Sequence, residues 1–153
     1  MSSVEGLDKI KANLDKAVSK TVAKMNERVM LAGLIAEEAV RQQAELTDHS
    51  LEDLAILGHP YAKIYPADSP PHNDDSLLHI QSGYLFANID RVEDLNSTKS
   101  SVAVGVSPDR VPYIEDLMHG NTKMRPRPFI QRAWSKHKDE VIRALDGRLG
   151  YGN

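Results

Sequence analysis

The sequence predicts an α+β domain: a long N-terminal helix and a C-terminal helix packed on a small, mainly antiparallel β-sheet. Three observations carry this expectation. Apolar residues recur at steps of three and four from Leu7 to Val40, two β-rich segments flank a turn in the middle of the chain, and a second amphipathic stretch closes it. Helices and strands fall in runs rather than in alternation, which separates α+β from α/β. A chain of 153 residues suits a single domain spanning 1–153.

The first helix is read over residues 1–46. Leu7, Ile10, Leu14, Val18, Val22, Met25, Val29, Ala32, Ala36 and Val40 form one stripe, and no proline interrupts it. Such a helix from Leu7 to Glu45 is about 58 Å long at 1.5 Å per residue. That exceeds what a domain of this size covers, so it either breaks near Gly33 or projects to pack on another chain. The stripe drifts from a heptad and is rich in alanine, which favours packing on a sheet over a coiled coil.

Ser50-Leu51-Glu52-Asp53 reads as a capping box opening a short helix that Gly58 and Pro60 end. Residues 59–76, rich in Pro, Asp and Ser, read as an exposed loop. Residues 77–146 then hold the sheet and the last helix. "GYLFANIDRV" and "SSVAVGV" alternate as strands, and the residues between them suit a hairpin. In "PYIEDLM", Tyr113, Ile114 and Leu117 share a helical face, with Pro112 before it and Gly120 after. From Phe129 to Leu145 a helix presents Phe129, Ile130, Ala133, Trp134, Val141, Ile142 and Leu145. Asp146-Gly147 stops it, and 147–153 form a frayed tail.

Composition excludes several functions. There is no cysteine, hence no thiol nucleophile, zinc-cysteine site or need for an oxidising compartment. The polar N-terminus has no apolar leader, and no apolar run is long enough to span a bilayer, so no membrane partner is expected. No two of the six histidines stand at i, i+4. His72, Asp74, Asp75 and His79 cluster on the loop without enforced geometry, and Ser82 lacks a nucleophile elbow. Adjacent carboxylates such as Glu37-Glu38 point in diverging directions. The reading is no enzyme, no metal and no cofactor.

Charge is more informative. Net charge is −3, but from Asn121 to Lys138 the chain carries Lys123, Arg125, Arg127, Arg132, Lys136 and Lys138 and no acid. Acids gather at 45–53, 68–75 and 90–94. A molecule polarised in this way can stack basic face to acidic face, with copies of itself or with a partner. Lys123, Arg125, Arg127, Arg132 and Lys136 are therefore the candidate interface residues. Pro126 and Pro128 stiffen the segment, Pro128 takes the first helical position, and Phe129 enters the core. Arg127→Glu is expected to leave the chain folded and to disturb assembly. The alternative is a small nucleic-acid-binding module, in which the same bases neutralise phosphates and Phe129 or Trp134 stacks on bases.

Taken in order, "LLHIQSGYLFANI", "SVAVGV" and "PYIEDLMHGNTKMRPRPFIQRAW" resemble the tail-completion (tail-to-head joining) family of long-tailed bacteriophages. The matching positions are Ser82, Gly83, Leu85 and Ile89, then Val104, Gly105 and Val106. Tyr113, Gly120, Thr122, Arg127, Pro128, Phe129 and Ala133 follow, in a likeness spanning about 57–145. Met118 and Asn121 depart from the family's turn, which has an acid two before the glycine and threonine directly after it. The resemblance implies a structural virion protein, assembled in the host cytoplasm. It would form a hexameric or dodecameric ring at the head-proximal end of the tail. The implied partners are the tail tube protein and the neck or head-completion protein below the portal. DNA would pass through the lumen without being read.

Overall fold

The computed structural model describes residues 2–46, 78, 83–122 and 126–149. Among these residues six elements occur in order: α1 (Ser2–Glu45), α2 (Tyr84–Ala87), β1 (Ile89–Leu95), β2 (Ser100–Val106), α3 (Ile114–His119) and α4 (Phe129–Leu145). The α+β class holds, with a long first helix, a C-terminal helix and a two-stranded antiparallel sheet. The capping box at Ser50 and the loop 59–76 lie outside the described residues.

Helix α1 has 44 residues and does not break at Gly33. Its continuity has a packing reason. A Cβ at Gly33 would stand 2.5 Å from Val102 Cγ2 and 2.9 Å from Arg91 Cδ. The glycine lets the β-hairpin lie directly on the helix. Alanine normally favours a helix over glycine by about 1 kcal/mol. Here Gly33→Ala is expected to destabilise the fold by about 1–3 kcal/mol, because the added methyl overpacks the contact. Urea denaturation checks this, and adding Val102→Ala should recover most of the loss. A stabilising Gly33→Ala would show that the hairpin sits farther from α1.

The hairpin pairs Ile89 with Val106 through Leu95 with Ser100, in unbroken antiparallel register. Alternation sends Ile89, Arg91, Glu93, Ser100, Val102 and Val104 toward α1 and leaves Asp90, Val92 and Asp94 outward. Two inward residues are charged, and both are paired. Glu37 on α1 accepts from Arg41 and lies 3.1 Å from Arg91, which in turn reaches Glu93 at 2.8 Å. A one-residue slip would turn Arg91 and Glu93 to the outer face, so this half-buried network also fixes register. Asn96 closes the turn, its Oδ1 accepting from the backbone N–H groups of Thr98 and Lys99.

The expected strand began six residues too early. Tyr84–Ala87 is a helical turn, opened by Gly83 at φ +73° and closed by Asn88, whose Nδ2 donates to the Tyr84 carbonyl. Arg41 crosses from α1, stacks over the Phe86 ring and donates to the carbonyls of Phe86 and Ile89. Local turn chemistry and this long-range cap override the alternating pattern of Tyr84 to Asn88.

Helix α4 runs antiparallel to α1. Its first turns meet Ala39 and Ala44, Lys136 donates to Gln43, and Val141 and Ala144 cover Ala32. Ile89, Val111, Ile114, Leu117 and Phe129 complete the main core with Leu78. Pro128 is the N-cap of α4 rather than its first residue. The tail is tied down through Leu149. Gly147 takes φ +73°, and the backbone N–H groups of Arg148 and Leu149 both donate to the Arg143 carbonyl. Residues 150–153 lie outside the described residues.

Candidate interface

The basic segment is not the uniform surface expected of it. Lys123 and Arg125 lie outside the described residues. Arg127 is only 5% exposed. Its N–H donates to the Leu117 carbonyl at 2.6 Å, and its own carbonyl accepts from Phe129. The segment is therefore pinned to α3, which turns Arg127 inward. Pro126 is exposed, but Arg127 between the two prolines is packed rather than displayed, and it is withdrawn as an interface residue. A guanidinium in this position is equally unavailable to a phosphate. Arg132 is half-buried, and Lys136 uses its Nζ to bind the buried Gln43 at 2.8 Å. Arg132 and exposed Lys136 stand at i, i+4 on one side of α4, whereas exposed Lys138 points to another, so the three do not form one cationic face.

The motif residues occupy turn and core positions. Gly83 and Gly120 both have positive φ, where side chains are strained. Leu85 packs against the core, and Phe129 is its largest fully buried side chain. Tyr113 is the N-cap of α3 and half exposed, so it does not share the buried face of Ile114 and Leu117. Trp134 is 51% exposed rather than core. It stands at the rim of a groove between α1, β2 and α4, where Ala36, Val40, Val102, His137 and Leu145 form the floor and sides. The antiparallel crossing explains this: α4 presents Ala133 and Val141 to α1, which rotates Trp134 to the open edge.

The larger exposed apolar feature is on α1. Leu7, Ile10, Leu14 and Val18 are 65, 62, 64 and 56% exposed. The folded body begins near Asn26, whose Oδ1 accepts from Ser100 Oγ at the hairpin end. About 35 Å of helix precedes that contact. Among the described residues, nothing covers the stripe before a shallow trough that Leu14, Val18, Val22, Met25 and Ser97 help to line. Sequence reasoning located these side chains but not their exposure; the excess length of the helix was the available signal.

No protein-family model, curated protein or solved structure matches this chain. Among the described residues, no three His, Asp or Glu side chains gather to hold a metal ion. His72, Asp74, Asp75, His79 and Ser82 lie outside those residues. Nor is any described helix long and apolar enough to cross a membrane. Among the described residues the surface offers a half-covered groove at Trp134 and an exposed apolar stripe on the first half of α1.

Proposed function

We propose that this chain is a tail-completion, or head-tail connector, subunit that joins the tail of a long-tailed phage to its neck through a ring of copies. The observation that carries the reading is the projecting half of α1. A chain with its own packed core nevertheless exposes four large aliphatic side chains along one helical face, as a subunit of an assembly does. The collinear motifs support the reading further. Gly83 and Gly120 sit at positive φ, and the Pro128-Phe129 step leads into the last helix and plugs the core. These are turn and core positions that fix a fold, so they support a scaffold role rather than a reactive one.

The test mixes the purified chain with tail tubes and with portal-capped heads assembled from the neighbouring genes, followed by sedimentation and negative-stain imaging. Stable rings on the tail end or the neck are the expected result. A chain that binds neither structure overturns the proposal. Tight binding to short DNA, falling steeply with salt, would instead favour the nucleic-acid module.

A further inference from the structure

The stripe on α1 repeats every eleven residues: Leu7, Val18, Val29 and Val40 occupy equivalent places, joined by steps of three and four. An eleven-residue period is about 3.67 residues per turn, close to the helix's own 3.6, so the stripe stays on one nearly straight face. Within the body, that face is covered by α4 and the hairpin, which bury Val29, Ala32 and Val40. Before Val22 the same face continues and is uncovered among the described residues, with Leu7, Ile10, Leu14 and Val18 all more than half exposed.

We infer that the free chain pairs with a second copy of itself, the two projecting α1 segments lying antiparallel about a two-fold axis at Leu14. Two features of the segment select this occupant and this orientation. Opposing Leu14 to its own copy sets Ile10 against Val18 and Leu7 against Thr21 and Val22, so apolar residues meet along the whole stripe. The flanking charges then complement one another. At about 100° per residue, Lys11 and Asp15 lie on the same flank of the stripe, and like flanks meet in an antiparallel pair. Lys11 of each copy comes within about 3 Å, measured along the axis, of Asp15 of the other. Symmetry makes that ion pair twice, against a single approach of the two Asp15 side chains at the same axial spacing, so attraction outweighs repulsion on this flank. In a parallel pair opposite flanks meet, and Lys11 and Asp15 face Asn13 and Ala17, which offer no charge.

The arrangement places the folded bodies at opposite ends of the paired rods. Leu7 of the second copy reaches the trough beside Val18, Val22, Met25 and Ser97. The pairing goes beyond the connector reading and does not depend on it. Where that reading holds, the pair is a storage form that docking must open.

Light scattering over a concentration series of the full chain should show a reversible dimer. Leu14→Glu should raise its dissociation constant at least about 100-fold, since two opposed leucines lose their burial. The melting temperature of the body should stay unchanged, because Leu14 lies outside the core. Lys11→Glu and Asp15→Lys should each weaken the dimer, and the double exchange should restore it. The absence of cysteine makes a geometric check clean. Under mild oxidation Leu14→Cys should crosslink to itself. Ile10→Cys should crosslink only when mixed with Val18→Cys, because two copies of position 10 stand about 12 Å apart along the axis. A monomer at all concentrations overturns the inference. So does self-crosslinking of Ile10→Cys, which means a parallel pair, or a larger assembly that Leu14→Glu leaves intact.

Discussion

Replacing Phe129 with alanine is expected to lower the free energy of unfolding by about 3–5 kcal/mol, the range for a large aromatic removed from a closed core. Phe129 has no exposed surface and sits in one cluster with residues of α1, β1, α3 and the 107–113 connection. A domain of this size is commonly stable by about 5–15 kcal/mol, so this one truncation removes a large fraction of the total. The site can hardly collapse to relieve it, because Pro128 and the bond from the Phe129 N–H to the Arg127 carbonyl hold the start of α4 in place. Chemical denaturation should show a lower midpoint with an unchanged slope. A loss under about 1 kcal/mol would mean that the pocket is open to solvent or refills from its neighbours.

The second large effect is expected at Arg127, where burial reverses the reading that the sequence invites. An acid-free, proline-stiffened segment suggests a displayed cation whose charge reversal spares the fold. With Arg127 at 5% exposure, Arg127→Glu should instead destabilise the chain by about 3–5 kcal/mol, the range seen when a buried charge loses its compensation. A shorter carboxylate would replace a buried guanidinium. Arg127→Met should be milder, because it keeps an unbranched apolar stem and introduces no charge. Comparing the denaturation midpoints of the two variants separates charge from packing. Equal midpoints for Arg127→Glu and the parent chain would place the side chain at the surface.

The two positions show what the sequence could and could not disclose. Periodicity is a local signal, and it located α1, α4 and the hairpin, because one apolar face of each meets the core. It placed Phe129 correctly, since a large aromatic at the first turn of an amphipathic helix has one apolar side to face. It did not place Trp134, five residues later, because the rotation of α4 against α1 is set by which small residues meet. Ala133 clustered with Ala39 and Ala44, and Ala144 with Ala32, decide that, not the tryptophan. The misread strand start at Tyr84 has a similar origin. The alternation there is genuine, but Arg41, more than forty residues away, caps the carbonyls of Phe86 and Ile89. Arg127 escaped for the same reason: its burial depends on a hydrogen bond to Leu117 across a turn, which no periodicity encodes. Of the candidate interface, the stripe was legible as a pattern, while its exposure depended on where the hairpin and α4 end along α1.

Helix α1 is clamped over its second half by the hairpin and α4 and crosses from clamp to tip without a joint. In mechanical terms it is a cantilever. With no proline and no break in its backbone ladder, a change of angle at the tip is passed to the body instead of being absorbed on the way. A tilt of about 5° over some 35 Å of lever displaces the far end by roughly 3 Å, about the length of a hydrogen bond. Whatever grips the first turns of α1 therefore sets the bearing of the whole molecule. Inserting a flexible glycine pair near Lys20 would uncouple the two without touching the core.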